Sequence, residues 1–278
     1  SGMKVVLDCA NGAGYKVGPE VMFELGADVI PMSINPDGMN INMDCGAISA
    51  SKMAYMTKKA NASIGIALDG DADRVIFSDE NGELIDGDQI IAVLANEMNE
   101  TKNLRHQAVV GTHMSNLAFE QYLKINDIDL VRVKVGDRYI LNEMLKNNYN
   151  LGGEPSGHVV LTDHSKTGDG LLTAIKIISL LKKSGKKASE FLRPFEMIPF
   201  KIKNLKKLDK NILNDKEIIS KIKKVQTSLA ERGRIVVRPS GTESLIRVMV
   251  ESSSSKLIDE SINKISSLLQ KFNETKKS

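Results

Sequence analysis

The sequence predicts an α/β protein: two α/β domains with mostly parallel mixed sheets, followed by a smaller C-terminal α+β domain. Three observations predict it. Short apolar runs such as Ile64–Leu68 alternate with segments of helical period along most of the chain, as strands buried on both faces and their crossover helices do. Several helical segments stop at a glycine, as at Gly26 and Gly185. From Pro199 onward the alternation gives way to two neighbouring strands, with 18 Lys+Arg against 9 Asp+Glu.

The elements follow in order. Lys4–Ala10 reads as a strand ending in the small-residue turn Asn11-Gly12-Ala13-Gly14, followed by a helix to Leu25. Asp28–Ile34 is a second strand, and Ser49–Ala60 a helix with Ser49 as its N-cap. Ser63–Leu68 is a third strand. Val75–Ser78 and Glu83–Ile85 flank Asn81-Gly82, a hairpin signal, and Asp88–Met98 closes the unit as a helix. A second unit repeats the plan without repeating the sequence. It has strands Ala108–Thr112 and Leu130–Val135, helices Asn116–Asn126 and Arg138–Leu145, the glycine-rich stretch Leu151–Leu161, and helix Gly170–Leu181. The last part reads as strand Phe200–Ile202, a long loop Lys203–Asn214, helix Asp215–Ala230, strands Arg234–Val237 and Leu245–Val250, helix Lys256–Phe272 and a frayed tail from Asn273. The expected domains are residues 1–101, 102–196 and 197–278.

Composition narrows the function classes. The 278 residues are 41% hydrophobic and 26% charged with net charge +3, ordinary for a globular protein and too balanced to argue for nucleic acid. Tyr and Phe total twelve, Trp is absent, and no stacking stripe runs among the lysines. The longest apolar stretches, such as Ile175–Leu181, are interrupted by Lys176 and far shorter than the ~18 residues of a membrane span. Two cysteines, Cys9 and Cys45, make no disulfide framework and fit a reducing, cytoplasmic setting. Ser1-Gly2 ahead of an immediate strand is what a cloning scar, or a start inside a longer protein, would give. The sequence does not fix the oligomeric state, and a homodimer is compatible with it.

Three loops carry chemistry. Asp69-Gly70-Asp71-Ala72-Asp73-Arg74 places three carboxylates at i, i+2 and i+4 directly after a strand. Packed anions repel, so the spacing suits a hard cation such as Mg²⁺ or Ca²⁺. A solvated acidic turn is the plain alternative. An EF-hand loop fits Asp69, Asp71, Asp73 and Glu80, but the required glycine is replaced by Arg74 and the preceding segment is β-like. The end of a parallel strand is where open α/β sheets place ligands, which favours Mg²⁺ serving a phosphate, with Arg74 on a phosphate oxygen. In Gly152-Gly153-Glu154-Pro155-Ser156-Gly157-His158, the alternating Glu154, Ser156 and His158 can present on one side of an extended loop. They suit vicinal sugar hydroxyls, and the imidazole can move a proton; a glycine-rich turn holding a structural Glu is the alternative. In Arg238-Pro239-Ser240-Gly241-Thr242-Glu243, backbone N–H groups, the hydroxyls of Ser240 and Thr242, and Arg238, with Arg247 in the next strand, suit an anion. A plain hairpin turn is the alternative.

Together and in this order, the three loops resemble the α-D-phosphohexomutase superfamily. Asp8-Cys9-Ala10-Asn11-Gly12-Ala13, Pro36-Asp37-Gly38, Asn40-Ile41-Asn42, Cys45-Gly46-Ala47, Val135-Gly136-Asp137-Arg138-Tyr139 and Thr167-Gly168-Asp169-Gly170 resemble its phosphoglucosamine mutase subfamily. The resemblance implies three α/β domains and a TATA-binding-protein-like C-terminal domain around a cleft. It implies interconversion of glucosamine 6-phosphate and glucosamine 1-phosphate, on the route to UDP-N-acetylglucosamine and peptidoglycan, through a phosphoserine. It also implies Asp69, Asp71 and Asp73 as Mg²⁺ ligands, Arg74 near the phosphoserine, and Glu154 and Ser156 on sugar hydroxyls. His158 would be a cleft histidine, and Arg238, Ser240, Gly241 and Thr242, more weakly Arg247, would hold the non-transferred phosphate. The family's Thr-x-Ser-His-Asn-Pro loop is not found, so the chain is expected to correspond to domains two to four, to pair with the missing N-terminal domain, and to lack mutase activity alone. Pro155 stands where the subfamily usually has Gln, and Ser244 where it usually has Pro.

Overall fold

The computed structural model describes residues 2–229, 232–240 and 244–275. The chain forms two compact units: residues up to Ser115 with Phe119–Glu196, and Asn116–Ala118 with the residues from Met197 onward.

The first unit holds two sheets of the same plan. In the first, β1 (Lys4–Asp8) lies parallel between β2 (Asp28–Met32) and β3 (Ile64–Leu68), and the antiparallel strands β4 (Val75–Ser78) and β5 (Leu84–Ile85) extend it. In the second, β6 (Ala108–Thr112) lies parallel between β7 (Asp129–Val133) and β8 (Leu151–Gly153), and β9 (Val159–Leu161) adds antiparallel to β8. Every residue of β3 and β6 is buried, as apolar runs in strands covered on both faces are, with Thr112 the one polar residue among them. Two short helices, α1 (Val17–Glu24) and α2 (Ser51–Lys59), complete the first βαβ units, and α4 (Leu117–Ile125) and α5 (Asp137–Asn147) the second.

Helices α3 (Gly87–Glu100) and α6 (Gly170–Ser184) pack on each other and link the sheets: α3 against β8, α6 against β3 and β4. One apolar core therefore runs through Ile66, Phe77, Ile91, Phe119, Leu151 and Ile177. The sequence reading closes the first sheet's domain with α3, and the structure packs that helix on the second sheet. The expected domains 1–101 and 102–196 thus share one compact unit. Both helices start at aspartate caps. Asp86 accepts the Asp88 N–H (2.9 Å) while Gln89 accepts the Asp86 N–H (3.2 Å), and Asp169 accepts the Leu172 N–H (2.8 Å). The short α7 (Ala188–Phe191) is an element the sequence reading leaves out.

The second unit is an antiparallel sheet in the order β10 (Phe200–Lys206), β12 (Leu245–Ser252), β11 (Gly233–Pro239), with α8 (Lys216–Leu229) and α9 (Ser255–Thr275). Its own core joins Leu205, Ile218, Val225, Val248, Ile262 and Ile265.

Three local expectations are corrected. Ser49 caps no helix: it ends a short 3₁₀ turn, and α2 begins at Ser51 with no side-chain cap. Lys203–Asn214 is not a long loop, because β10 runs to Lys206, paired residue by residue with β12, and Lys210–Asn214 is a 3₁₀ turn. The frayed tail is helix as far as Thr275. Asn273 is buried, and its side-chain oxygen accepts the Asp209 N–H (3.0 Å).

Candidate functional site

The acidic loop joins β3 to the antiparallel β4, at the C-terminal edge of the parallel strands. Its turn is set by the backbone: the Ala72 N–H donates to Asp69 O (3.1 Å), and Ala72 is left-handed (φ +60). The Asp69 side chain accepts the Arg74 N–H (3.0 Å), which turns its carboxylate back over the loop. Asp69, Asp71 and Asp73 each offer an oxygen, and these lie within 4.8 Å of one another, a grouping that can hold a metal ion. Arg74 Nε stands 3.7 Å from Asp69 and 3.8 Å from Asp73. Burial pushes the Asp69 carboxyl up to about 6. The bonded Arg74 N–H opposes that rise, and the neighbouring Asp73 and Asp71 charges reinforce it. Such crowding of hard anionic oxygens is what a small divalent cation relieves.

The loop is braced on two sides. Gly12 lets the first βα turn lie directly on it: the Ala13 N–H donates to Gly70 O (2.8 Å), and a Cβ at Gly12 would fall 2.2 Å from that oxygen. Behind the turn, Asp8 is buried and accepts the N–H groups of Ala10 (2.9 Å) and Gly46 (3.0 Å). On the other side, the Gly170 N–H donates to Ala72 O (2.8 Å).

The Glu154–His158 segment is a tight hairpin turn between β8 and β9, not an extended loop. The Gly157 N–H donates to Glu154 O (3.0 Å), the Glu154 N–H to His158 O (2.9 Å), and Gly157 is left-handed (φ +88). Pro155 takes the first central position, where a ring-locked φ suits the turn. The three polar side chains therefore go separate ways. Glu154 accepts the Gly136 N–H (3.0 Å), Ser156 is exposed, and His158 is buried with Nδ1 at 3.1 Å from Asp73 Oδ2. The turn itself rests on the acidic loop, since the Val75 N–H donates to Gly157 O (3.1 Å) and Arg74 and His158 form a β-bridge. The first two sequence motifs thus form one cluster. Gly136 and Gly170 contribute through backbone N–H groups, which no side-chain pattern in their stretches could announce.

In the second unit, Arg238 on β11 stands directly opposite Arg247 on β12. Like charges facing each other across a ladder repel, and an anion beside them offsets this. Ser240 is buried: its N–H donates to Leu245 O (2.9 Å), and its carbonyl accepts Lys210 Nζ (2.7 Å). Gly241 and Thr242 lie outside the described residues. Among the described residues, no helix is long and apolar enough to cross a membrane.

Three family models match consecutive stretches of the chain. They are the phosphoglucomutase/phosphomannomutase α/β/α domain II over residues 1–82, α/β/α domain III over 86–197, and the C-terminal domain over 197–266. Curated relatives include phosphoglucosamine mutases of Bradyrhizobium diazoefficiens, 46% identical over 96% of this chain, and of Rhizobium etli, 46% identical over 95%. The chain spans about 60% of the length of these relatives. Among solved structures, Aspergillus fumigatus N-acetylphosphoglucosamine mutase, in complex with GlcNAc-6P and magnesium, matches 98% of this chain and 62% of its own, at TM-score 0.78 and 20% identity. An N-acetylglucosamine-phosphate mutase of the α-D-phosphohexomutase superfamily, in its product complex, matches 97% of this chain and 62% of its own, at TM-score 0.76 and 19% identity. The two mixed sheets and the small antiparallel unit thus follow the architecture of that superfamily. Because the three models follow one another along nearly the whole sequence and the curated relatives share almost half its residues, the chain belongs to the phosphoglucomutase/phosphomannomutase family of α-D-phosphohexomutases.

Proposed function

We propose that this chain forms the metal-binding, sugar-binding and phosphate-binding part of a phosphoglucosamine mutase, which interconverts glucosamine 6-phosphate and glucosamine 1-phosphate. The observation that carries the reading is the convergence of Asp69, Asp71 and Asp73 beside Arg74 and His158. Phosphoryl transfer concentrates negative charge and is catalysed mainly by positioning and electrostatic stabilisation. The Asp69, Asp71 and Asp73 carboxylates hold Mg²⁺, which when bound neutralises charge on the transferring phosphoryl group. Arg74, half exposed beside them, takes a phosphoryl oxygen. Glu154 and Ser156 orient the sugar through its hydroxyls. Arg238 and Ser240, with Gly241, Thr242 and Arg247, hold the phosphate that is not transferred, and this distal binding energy keeps the sugar in line.

The phosphoryl carrier of the reading is a phosphoserine in a Thr-x-Ser-His-Asn-Pro loop, a pattern absent from these 278 residues. The chain taken alone therefore binds the sugar phosphate and does not turn it over. Pro155, which departs from the subfamily's usual Gln, fits the turn position it occupies, and a phosphomannomutase or phosphoglucomutase is the second reading its departure favours.

Calorimetry of the chain with Mg²⁺ and glucosamine 6-phosphate tests the binding, with Arg238→Ala as the variant. Heat of binding that disappears in the variant supports the reading, and equal binding by both overturns it. Sustained production of glucosamine 1-phosphate by the purified chain, free of host enzyme, would refute the inactivity. In the full-length encoded protein, kcat/KM is expected to be highest for glucosamine 6-phosphate among the glucosamine, glucose and mannose 6-phosphates.

A further inference from the structure

We infer that His158 acts as a positioning residue for Asp73, fixing the orientation of that metal-ligating carboxylate through Nδ1 rather than meeting the sugar. The inference rests on the reading of Asp69, Asp71 and Asp73 as the cation's ligands. Four observations carry it. His158 is only 3% exposed, so its ring is packed almost wholly against protein. Its Nδ1 lies 3.1 Å from Asp73 Oδ2, while Asp73 Oδ1 lies 3.8 Å from Arg74 Nε, so each oxygen of that carboxylate has its own neighbour. Its backbone bridges that of Arg74, so the ring is held in register with the acidic loop. Finally, Gly168 walls in the ring edge: a Cβ there would fall 2.4 Å from His158 Cε1, 2.6 Å from Nδ1 and 2.7 Å from Asp73 O. Only a residue without a side chain lets the imidazole, the Asp73 backbone and the segment before α6 meet.

The physics is that of an outer-shell partner. A carboxylate in a crowded acidic loop swings away from its neighbours unless something holds it, and a close polar partner on one of its oxygens restrains that swing. Removing such partners lowers metal affinity by about 10–100-fold.

The test is Mg²⁺ binding to the 278-residue chain by calorimetry, with no turnover involved. His158→Asn places an amide N–H close to where Nδ1 stands, and His158→Gln places it near Nε2. Asn is expected to keep Mg²⁺ affinity within about threefold and Gln to lose about tenfold or more. Gly168→Ala, which leaves both functional side chains in place and only crowds the ring, is expected to lose a similar amount. Thermal unfolding confirms that each variant is folded. Parent-like affinity in the folded Gln and Gly168→Ala variants overturns the inference, and so does retention by Gln with loss by Asn. Absence of Mg²⁺ binding by the unsubstituted chain would instead overturn the metal reading itself, and the inference with it.

Discussion

Asp86→Asn is expected to stabilise the first unit at alkaline pH and to leave it nearly unchanged at acidic pH. Asp86 caps α3, accepting the Asp88 N–H at 2.9 Å, and burial pushes its carboxyl up from 3.8 to about 6, with that bonded N–H opposing. A rise of about two pH units is worth about 3 kcal/mol between the two protonation states. A carboxyl whose folded value lies above its unfolded one gives its full contribution below about pH 3.8 and loses it as pH climbs through about 6. Asparagine keeps the cap's acceptor oxygen and never ionises. The α3 N-terminal dipole favours the carboxylate by about 0.3–1 kcal/mol, so the expected gain at pH 8 is about 2 kcal/mol. Urea unfolding of parent and variant by far-UV circular dichroism, at pH 3.5 and pH 8, measures it, because the titrations of groups distant from Asp86 cancel in the difference. A difference that is the same at both pH values, or a variant less stable at pH 8 than its parent, refutes the reasoning. The cap also bears on the site, since the next residue, Gly87, donates its N–H to Pro155 O (3.1 Å) in the turn that carries Glu154 and His158.

Other outcomes follow from the same structure. Asp71→Asn, which removes a negative oxygen from the acidic group, should weaken Mg²⁺ binding about tenfold or more by calorimetry, with little change in thermal unfolding. Gly12→Ala forces a Cβ to within 2.2 Å of Gly70 O, where neither backbone can yield cheaply, and should cost about 1–3 kcal/mol in urea unfolding. In the second unit, Arg234 Nε donates to the buried Glu251 carboxylate at 2.6 Å. Arg234→Met should cost about 3–5 kcal/mol, and the double change with Glu251→Leu should recover most of it. The Cys9 thiol, pushed up to about 12 by burial and by the Asp8 charge, should resist a thiol reagent at pH 8 in the native chain and react once guanidinium unfolds it.

What the sequence determined by itself is what depends on neighbours along the chain. Ile64–Leu68 is apolar throughout and Ala108–Thr112 is apolar up to its last residue, and both are fully buried strands. Asn81-Gly82 marks a real hairpin with Gly82 at φ +80, and Gly26 and Gly185 lie just past helix ends with positive φ. Three carboxylates two residues apart in one short loop after a strand mark the acidic group in the sequence, and the left-handed turn at Ala72 brings their oxygens within 4.8 Å of one another. Tertiary structure decided what depends on residues distant in sequence. The helical period of α3 says that it buries a face, and packing alone selects β8 as its partner. Asn204–Lys206 carry little strand signal, and they are strand because Leu245–Arg247 stand opposite to take their hydrogen bonds. Asn273 is ordered by the Asp209 N–H. His158 could be read as a free imidazole until the fold set it against Asp73 and Gly168. Spacing governs where one loop can curl, but which two loops meet is set only when the sheets close and their distant backbones exchange hydrogen bonds.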